Sequence, residues 1–304
     1  MEKQATKLYD LLDCQSPKAI LAEIVTIISL LESDRIMDQF QSVYQDIVRL
    51  FNGEYPGYRA SNTKYHNLEH TIMVTLATAR LIHGSIQGGF RFKSDNILLG
   101  ILAALFHDSG LIQTKQDKKG TGAKYTIGHE KRSVNFMKKN LVKNGFLQQQ
   151  IDDCAQLIKC TNLEIEVAGI SFRSEEIGNL GKIVGSADLL AQMADRHYLE
   201  KLILLFKEFE EAGIPGFDSE EELLEKTEGF YKNVTQKRLT QDFDNISSNM
   251  ANHFKYRWNI DCDFYAESIE SNIQYLRSIL SGGKQSRQFY QQRLKRGGLI
   301  KESD

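Results

Sequence analysis

The strongest constraint on the fold is an apolar run at residues 97–106, ILLGILAALF, which ends directly at His107 and Asp108. Because the run is apolar on almost every side, it predicts a central buried helix rather than an amphipathic surface helix. Its ten residues fall far short of the roughly 20 needed to span a bilayer, so it does not predict a transmembrane segment. Gly110 is placed to end this helix.

The rest of the chain also has the composition of a helical protein. It contains three prolines and long runs rich in Leu, Ile, Ala, Glu, Lys and Gln, which favour helices over strands. Short Val, Ile and Thr runs at regular turn spacing, typical of β-sandwiches and barrels, are missing. The sequence therefore predicts an all-α fold, and its 41% hydrophobic residues suffice for a sizeable core.

Helical periodicity and turn residues predict the order of the helices. No low-complexity or charge-rich linker divides the chain, so we expect one domain with a core at about residues 60–210, helical extensions at 1–59 and 211–280, and a polar tail at 281–304. The predicted helical regions are residues 16–50 (one or two helices), 65 to about 84, 97–108, 129–144, 147–159, 182–211 and 219–280 (two or three helices).

Charge and the amino terminus limit the partners and the location. The formal net charge of −2 argues against general nucleic-acid binding, which usually needs a strongly basic face. Residues 1–15 are polar and lack the apolar region of a secretory signal, so we expect a cytoplasmic protein without a membrane partner. The terminal helical extensions are long enough to mediate a homodimer.

Three stretches carry candidate metal-binding side chains. The first is His107-Asp108, at the end of the predicted central helix, and the second contains Asp188, which follows Ser186 and Ala187. A His and an Asp buried without partners at the end of the apolar run would be costly, and a divalent metal would satisfy both. Adjacent helical residues point about 100° apart. His107 and Asp108 therefore reach one ion only where the helix ends, or else two ions share the Asp108 carboxylate.

The third stretch is the segment YHNLEH at residues 65–70. His70 repeats with Val74, Ala77 and Leu81 at helical spacing, which predicts an inward stripe that carries His70. His66 lies four residues earlier, one turn up the same predicted face. It is therefore placed where a proton donor to a leaving oxygen would be needed.

The order His, His-Asp, Asp resembles that of the HD superfamily of metal-dependent phosphohydrolases over about residues 60–210. Within it, YHNLEH is similar to the Y-H-N-x-x-H motif of class I cyclic-nucleotide phosphodiesterases. The resemblance implies an HD-domain-like helical bundle with helical extensions at both ends. It implies that His66 is the general acid and that the primary metal ligands are His70, His107, Asp108 and Asp188.

The chain departs from that pattern after the His-Asp pair, where Leu111 occupies the position of a further histidine. A ligand for a second ion must then come from elsewhere, and the segment GHEKRS resembles the G-H-E-x-x-S segment of many HD proteins, which makes His129 a candidate. Asp195 lies seven residues after Asp188 on the same predicted helix. We favour Asp188, because its small neighbours allow close approach of other backbones, and interpret Asp195 as a surface ion pair or a more remote contact.

Lysines supply the candidate substrate contacts. Four of them lie in the predicted loop at residues 113–128, where Lys115 and its neighbours are placed to fold over a phosphate, although a solvated loop explains them as well. Lys159, at the end of its predicted helix, is a further candidate contact.

The sequence thus predicts metal-dependent hydrolysis of a phosphoester, of a nucleotide or a similar small phosphorylated metabolite, by metal-activated water with a histidine general acid. One or two divalent ions are expected, and the ligand types do not distinguish Mn, Mg, Fe, Co and Zn. Two alternatives stay open: a di-iron oxygenase of the HD fold, and a non-catalytic HD-like module that binds partners or regulates them.

Overall fold

The computed structural model describes residues 6–14, 16–31 and 34–281, together with residues 290, 293 and 294. Within these residues the chain forms eleven α-helices and no β-strand, which confirms the predicted all-α fold. The helices are α1 (Pro17–Leu30), α2 (Asp34–Phe51), α3 (Leu68–Gln87), α4 (Ser94–Phe106), α5 (His129–Lys143), α6 (Gln148–Lys159), α7 (Glu175–Ala194), α8 (Tyr198–Ala212), α9 (Glu220–Phe230), α10 (Met250–Trp258) and α11 (Phe264–Leu280).

Helices α3, α4 and α7 pack against one another and form the centre of the molecule. Every residue of α4 from Asn96 to Phe106 is buried, which confirms that the apolar run is a central helix. Helices α1 and α10 cover α3, α6 packs on α4 and α7, and α11 covers α7. Helix α4 itself is in contact with α2, α3, α5, α6 and α7.

Helix α3 begins later than its periodicity predicted. The side chain of Asn67 accepts a hydrogen bond from the His70 backbone N–H (3.1 Å) and caps the helix, so α3 starts at Leu68 rather than near Tyr65. His66 consequently lies in the preceding loop and not on the first turn of the helix. The direction of the His66 side chain is therefore set by its contacts and not by helical periodicity.

The prediction of a single helix at residues 182–211 is wrong. Helix α7 begins at Glu175, where the Ser174 hydroxyl accepts from the Ile177 N–H (3.3 Å), and it ends before Asp195. At Asp195 the backbone is extended (φ −58°, ψ 131°), and a second helix, α8, starts at Tyr198. The break changes the direction of the chain, so that side chains of α7 and α8 approach one space from two sides.

Both ends of the described chain also contain helices. Two helices, α1 and α2, occupy the amino-terminal region, and three, α9 to α11, occupy the predicted carboxyl-terminal region, where two short π-helical segments follow α9. Most of the predicted polar tail lies outside the described residues, although Tyr290 and Leu294 within it are buried. None of the described helices combines the length and apolarity that a bilayer span requires.

The contact between α3 and α10 depends on a glycine. A Cβ atom added at Gly84, inside α3, would lie 2.1 Å from the carbonyl oxygen of Asn249 and 3.1 Å from the backbone nitrogen of His253. Backbone atoms cannot move aside as a flexible side chain can. The close approach of the two helices therefore requires glycine at this position.

We expect Gly84→Ala to lower the free energy of unfolding by about 1–3 kcal/mol, because the added methyl group overpacks the helix contact. Gly229→Ala is the matched control: Gly229 also lies within a helix, but its added Cβ would meet nothing closer than the Asn233 Nδ2 atom at 4.0 Å. That substitution should stabilise the protein by up to about 1 kcal/mol through helix propensity. Urea unfolding followed by circular dichroism measures both, and equal effects of the two substitutions would contradict the packing argument.

Candidate metal centre

The four predicted primary ligands come together at the carboxyl end of α4. His70 lies in the first turn of α3, His107 and Asp108 directly follow α4, and Asp188 lies in the middle of α7. His70 Nε2 is 3.5 Å from Asp108 Oδ2 and 3.4 Å from Asp188 Oδ1, and His107 Nε2 is 3.2 Å and 3.6 Å from the same two oxygens. Two imidazoles and two carboxylates thus converge on one point from rigid helices.

The chemistry of this donor set fits a divalent metal. His107 Nε2 and Asp108 Oδ2 are buried and have no hydrogen-bond partner among the described residues. His70, His107 and Asp108 offer ligand atoms that all lie within 4.8 Å of one another. Ligand bonds to one ion are about 2.0–2.2 Å long, so small side-chain shifts would let one ion contact all three residues. His107 Nδ1 donates to the Ala104 carbonyl (2.8 Å), which fixes the tautomer with the Nε2 lone pair towards the centre.

The turn after α4 is held by Ser133 of α5. The Ser133 hydroxyl donates to the His107 carbonyl (2.5 Å) and accepts from the Gly110 N–H (2.8 Å), so one buried side chain satisfies both ends of the turn. A Cβ atom at Gly110 would lie 2.1 Å from the His129 carbonyl oxygen. Gly110 was predicted to end the helix, but α4 ends at Phe106 and this glycine instead admits the amino terminus of α5.

His129, the first residue of α5, approaches Asp108 from the other side. Its Nε2 lies 3.2 Å from Asp108 Oδ1, whereas the Oδ2 oxygen faces His70 and His107. Its Nδ1 donates to the Thr126 carbonyl (2.7 Å), which leaves Nε2 free to bind a metal. The two oxygens of Asp108 thus face different imidazoles, an arrangement suited to a carboxylate that bridges two ions.

A carboxylate that the sequence analysis missed positions His66. Glu208 of α8 is 4% exposed, and its two oxygens accept from the Tyr65 backbone N–H (2.6 Å) and from His66 Nδ1 (2.7 Å). The His66 ring centroid lies 5.7 Å from that of His70. The signal that could have found Glu208 is its spacing: it follows Leu202 and Leu205 at helical intervals on the buried face of α8.

The charges of these groups depend on each other. Burial lowers the pKa of His107, but the negative charges of Asp108 and Asp188 outweigh it and raise the pKa to about 10. Burial likewise lowers the pKa of His129, and the hydrogen bond and charge of Asp108 raise it to about 9. Burial raises the pKa of Asp108, but the neighbouring histidines His107 and His66 hold it well below its usual range. A divalent cation would take the place of the protons that balance these carboxylates.

His66 shows the same balance outside the ligand set. Burial lowers its pKa, but the charge of Asp108 and the hydrogen bond and charge of Glu208 outweigh burial, so the pKa is raised above its usual value. A raised pKa keeps more of the imidazole protonated near neutral pH. With Nδ1–H donating to Glu208, the Nε2–H of a protonated ring is left to donate elsewhere.

The structure does not bring the predicted lysines to the centre. Lys159 Nζ donates to Gln156 (3.0 Å), and neither Lys159 nor Lys115 lines the cavity described below. Lys115 is exposed, and its backbone N–H donates to the Gly57 carbonyl (2.9 Å). Asp195, the alternative to Asp188, forms an ion pair with Lys201 (2.5 Å) and lies outside the ligand set.

A cavity of about 660 Å³ opens onto the centre. His66, His70, His107, Asp108, His129 and Asp188 all contribute to its wall. The remaining wall comes from residues 126–130, 161–164 and 233–234, from α7 beyond Asp188, and from α8, α9 and the residues between them. The candidate ligands and the candidate acid thus face one space that is accessible to a small molecule.

Comparison with known proteins identifies a family but no activity. A family model described as Npun_R2479-like matches residues 26–253, a region that contains all the candidate ligands, His66 and Glu208. No curated protein matches the chain.

We expect Ser133→Ala to lower the free energy of unfolding by about 1–3 kcal/mol, because it leaves the buried His107 carbonyl and the Gly110 N–H without their partner. The control is Ser278→Ala, since Ser278 is exposed and its hydroxyl donates to the Tyr275 carbonyl of its own helix (2.7 Å). That change should stay within about 0.5 kcal/mol. Denaturant unfolding measures both, and a Ser133 variant as stable as the control would show that the turn does not need the bond.

Proposed function

The chain belongs to the Npun_R2479-like family, and we propose that its metal centre hydrolyses a phosphoester. One observation carries the proposal: the convergent ligand set and a histidine oriented by a buried carboxylate face the same cavity. A site that only binds metal would need the ligands, but it would not need the additional histidine, His66, that Glu208 holds beside them. A hydrolase needs both, because the leaving oxygen must receive a proton.

The candidate ligands form two groups, one for each of two ions. His70, His107, Asp108 and Asp188 would hold one ion, and His129 together with the outer oxygen of Asp108 would contribute to a second. When bound, a divalent metal supplies Lewis-acid activation of water and neutralises charge on the phosphoryl oxygens. The short Nδ1–carbonyl bonds of His107 and His129 keep both rings oriented, so binding does not have to order them.

His66 acts as the general acid. Glu208 accepts its Nδ1–H and favours the protonated ring, which directs the Nε2–H to the cavity, where it protonates the departing oxygen. The Tyr65 N–H on the second oxygen of Glu208 prevents that carboxylate from rotating away. The acid and its orienting partner are thus fixed by a loop and a helix that are separate from the ligand helices.

The test is whether metal content and phosphoester turnover fall together in Asp108→Asn. This variant keeps the shape of the side chain but removes the charge that His70, His107 and His129 face. We therefore expect bound metal to fall to near zero and turnover to fall by roughly 100-fold or more. Elemental analysis of the purified protein measures the first effect. Product release from a panel of phosphomonoesters and phosphodiesters, each with Mn, Co, Fe, Mg and Zn, measures the second.

The control for this test is Asp152→Asn, at a half-exposed carboxylate of α6. It should leave metal content and turnover unchanged. A correctly folded Asp108→Asn protein that retains both would overturn the proposal, as would wild-type protein that turns over no phosphoester with any of these metals. Oxygen consumption by the iron-loaded protein would instead support the oxygenase alternative.

We expect Glu208→Gln to move the basic limb of the pH–rate profile to lower pH. The general acid must be protonated, so activity falls as pH rises through the pKa of His66. Glu208 raises that pKa by its hydrogen bond and charge, and the neutral amide lowers it again. Turnover is measured from pH 5 to 10, with Glu210→Gln, an exposed residue on the same helix, as the control. An unchanged basic limb would exclude His66 as the acid.

A further inference from the structure

The wall of the cavity has two chemically different parts. The metal centre forms a polar part, where six histidine and aspartate side chains face the space. Helices α8 and α9 and the segment between them form a largely apolar part, where the Phe209 and Phe217 rings stack with centroids 5.9 Å apart and an interplanar angle of 24°. The apolar side chains of this part include Leu202, Leu205, Phe209, Phe217, Leu223 and Phe230.

Cationic side chains are almost missing from this wall. Among the described residues that line the cavity, Lys226 is the one lysine or arginine, and its ammonium group is already 2.7 Å from the Gly216 carbonyl and 2.7 Å from Glu222 Oε1. Nucleoside polyphosphates are usually held by several lysines or arginines in addition to metal. The cavity therefore provides for one phosphoryl group, at the metal centre, and not for a chain of them.

The rim of the cavity is apolar as well. Ile127 is 65% exposed and Leu163 is 45% exposed, and both belong to the cavity wall. Large aliphatic side chains that stay exposed next to a cavity mark a surface that contacts an apolar ligand. The two residues come from different segments, one before α5 and one after α6, so they flank the opening from separate elements.

The volume of about 660 Å³ falls in the range of roughly 300–1,000 Å³ that is usual for sites of drug-sized ligands. A single phosphoryl group occupies a small part of it. The part of the remaining volume next to α8 and α9 is bounded mainly by apolar side chains, which gain free energy by covering apolar rather than hydrated groups.

We propose that the substrate is an ester with a single phosphoryl group and a bulky apolar substituent, an alkyl or aryl group that occupies the space between α8 and α9. This inference rests on the proposed phosphoester hydrolysis and narrows its substrate class. The phosphoryl group lies at the metal centre beside His66, and the apolar substituent lies against Leu205, Phe209 and Phe217. A nucleotide substrate, which the sequence analysis expected, is the alternative that the experiment must distinguish.

The test compares n-alkyl phosphates from ethyl to octyl, and the matching methyl n-alkyl diesters, with nucleoside 5′-monophosphates and ATP. The metal-loaded wild-type protein is used, and kcat/KM is measured by product release. We expect kcat/KM to rise about two- to fourfold for each added methylene until the apolar space is filled. We also expect octyl phosphate, or its diester, to exceed the nucleotides by at least about tenfold.

Variants of the apolar wall locate the effect. Phe209→Ser should lower kcat/KM for the octyl ester by about tenfold or more and for the ethyl ester by less, because only the longer chain reaches the ring. Phe206→Ser is the matched control: Phe206 lies on the same helix and is also partly buried against the core, but it does not line the cavity. Phe217→Ser tests the partner ring of the stack and serves if the Phe209 variant does not fold.

Binding without turnover gives an independent readout. Calorimetry with ethylphosphonate and octylphosphonate, which resist hydrolysis, should show tighter binding and a more negative heat-capacity change for the octyl compound. Nucleotides hydrolysed faster than octyl esters, together with a flat alkyl series, would overturn this inference and leave the proposed function standing. Hydrolysis of no ester with any metal would overturn both.

Discussion

The buried carboxyl end of α4 sets the constraint on which the rest of the structure depends. His107 and Asp108 are each 1% exposed, and ionisable groups at such depth are tolerated only when they are paired or bound. The surrounding helices supply what the pair needs: imidazole from α3, carboxylate from α7, and a hydroxyl and a further imidazole from α5. Four helix segments thus meet at one dipeptide, because its buried ionisable side chains need partners.

The backbone and the side chains of this turn are satisfied by different means. The Ser133 hydroxyl pairs two backbone groups of the turn, the His107 carbonyl and the Gly110 N–H. Among the described residues, His107 Nε2 and Asp108 Oδ2 have no hydrogen-bond partner, and both point to the common centre. This division is what a preorganised metal site needs: a rigid frame that is complete without the ion, and ligand atoms that are complete only with it.

Helix α8 connects the centre to the rest of the cavity. One of its side chains, Glu208, holds His66, while others on neighbouring positions, Leu205 and Phe209, form the apolar wall. The same helix therefore sets the orientation of the candidate acid and the shape of the space beside it. It does so only because the chain breaks at Asp195, where a continuous helix would have carried these side chains away from α7.

The sequence by itself determined the helical class, the burial of α4 and the inward direction of His70, because apolarity and helical period are local properties. It also singled out five side chains, His70, His107, Asp108, His129 and Asp188, that the structure brings together. Tertiary structure alone decided that Glu208 meets His66, 142 positions away, and that α8 and α9 bound an apolar space beside the candidate ligands. Such meetings depend on how helix faces pack and where helices break, and neither is contained in the spacing of one segment.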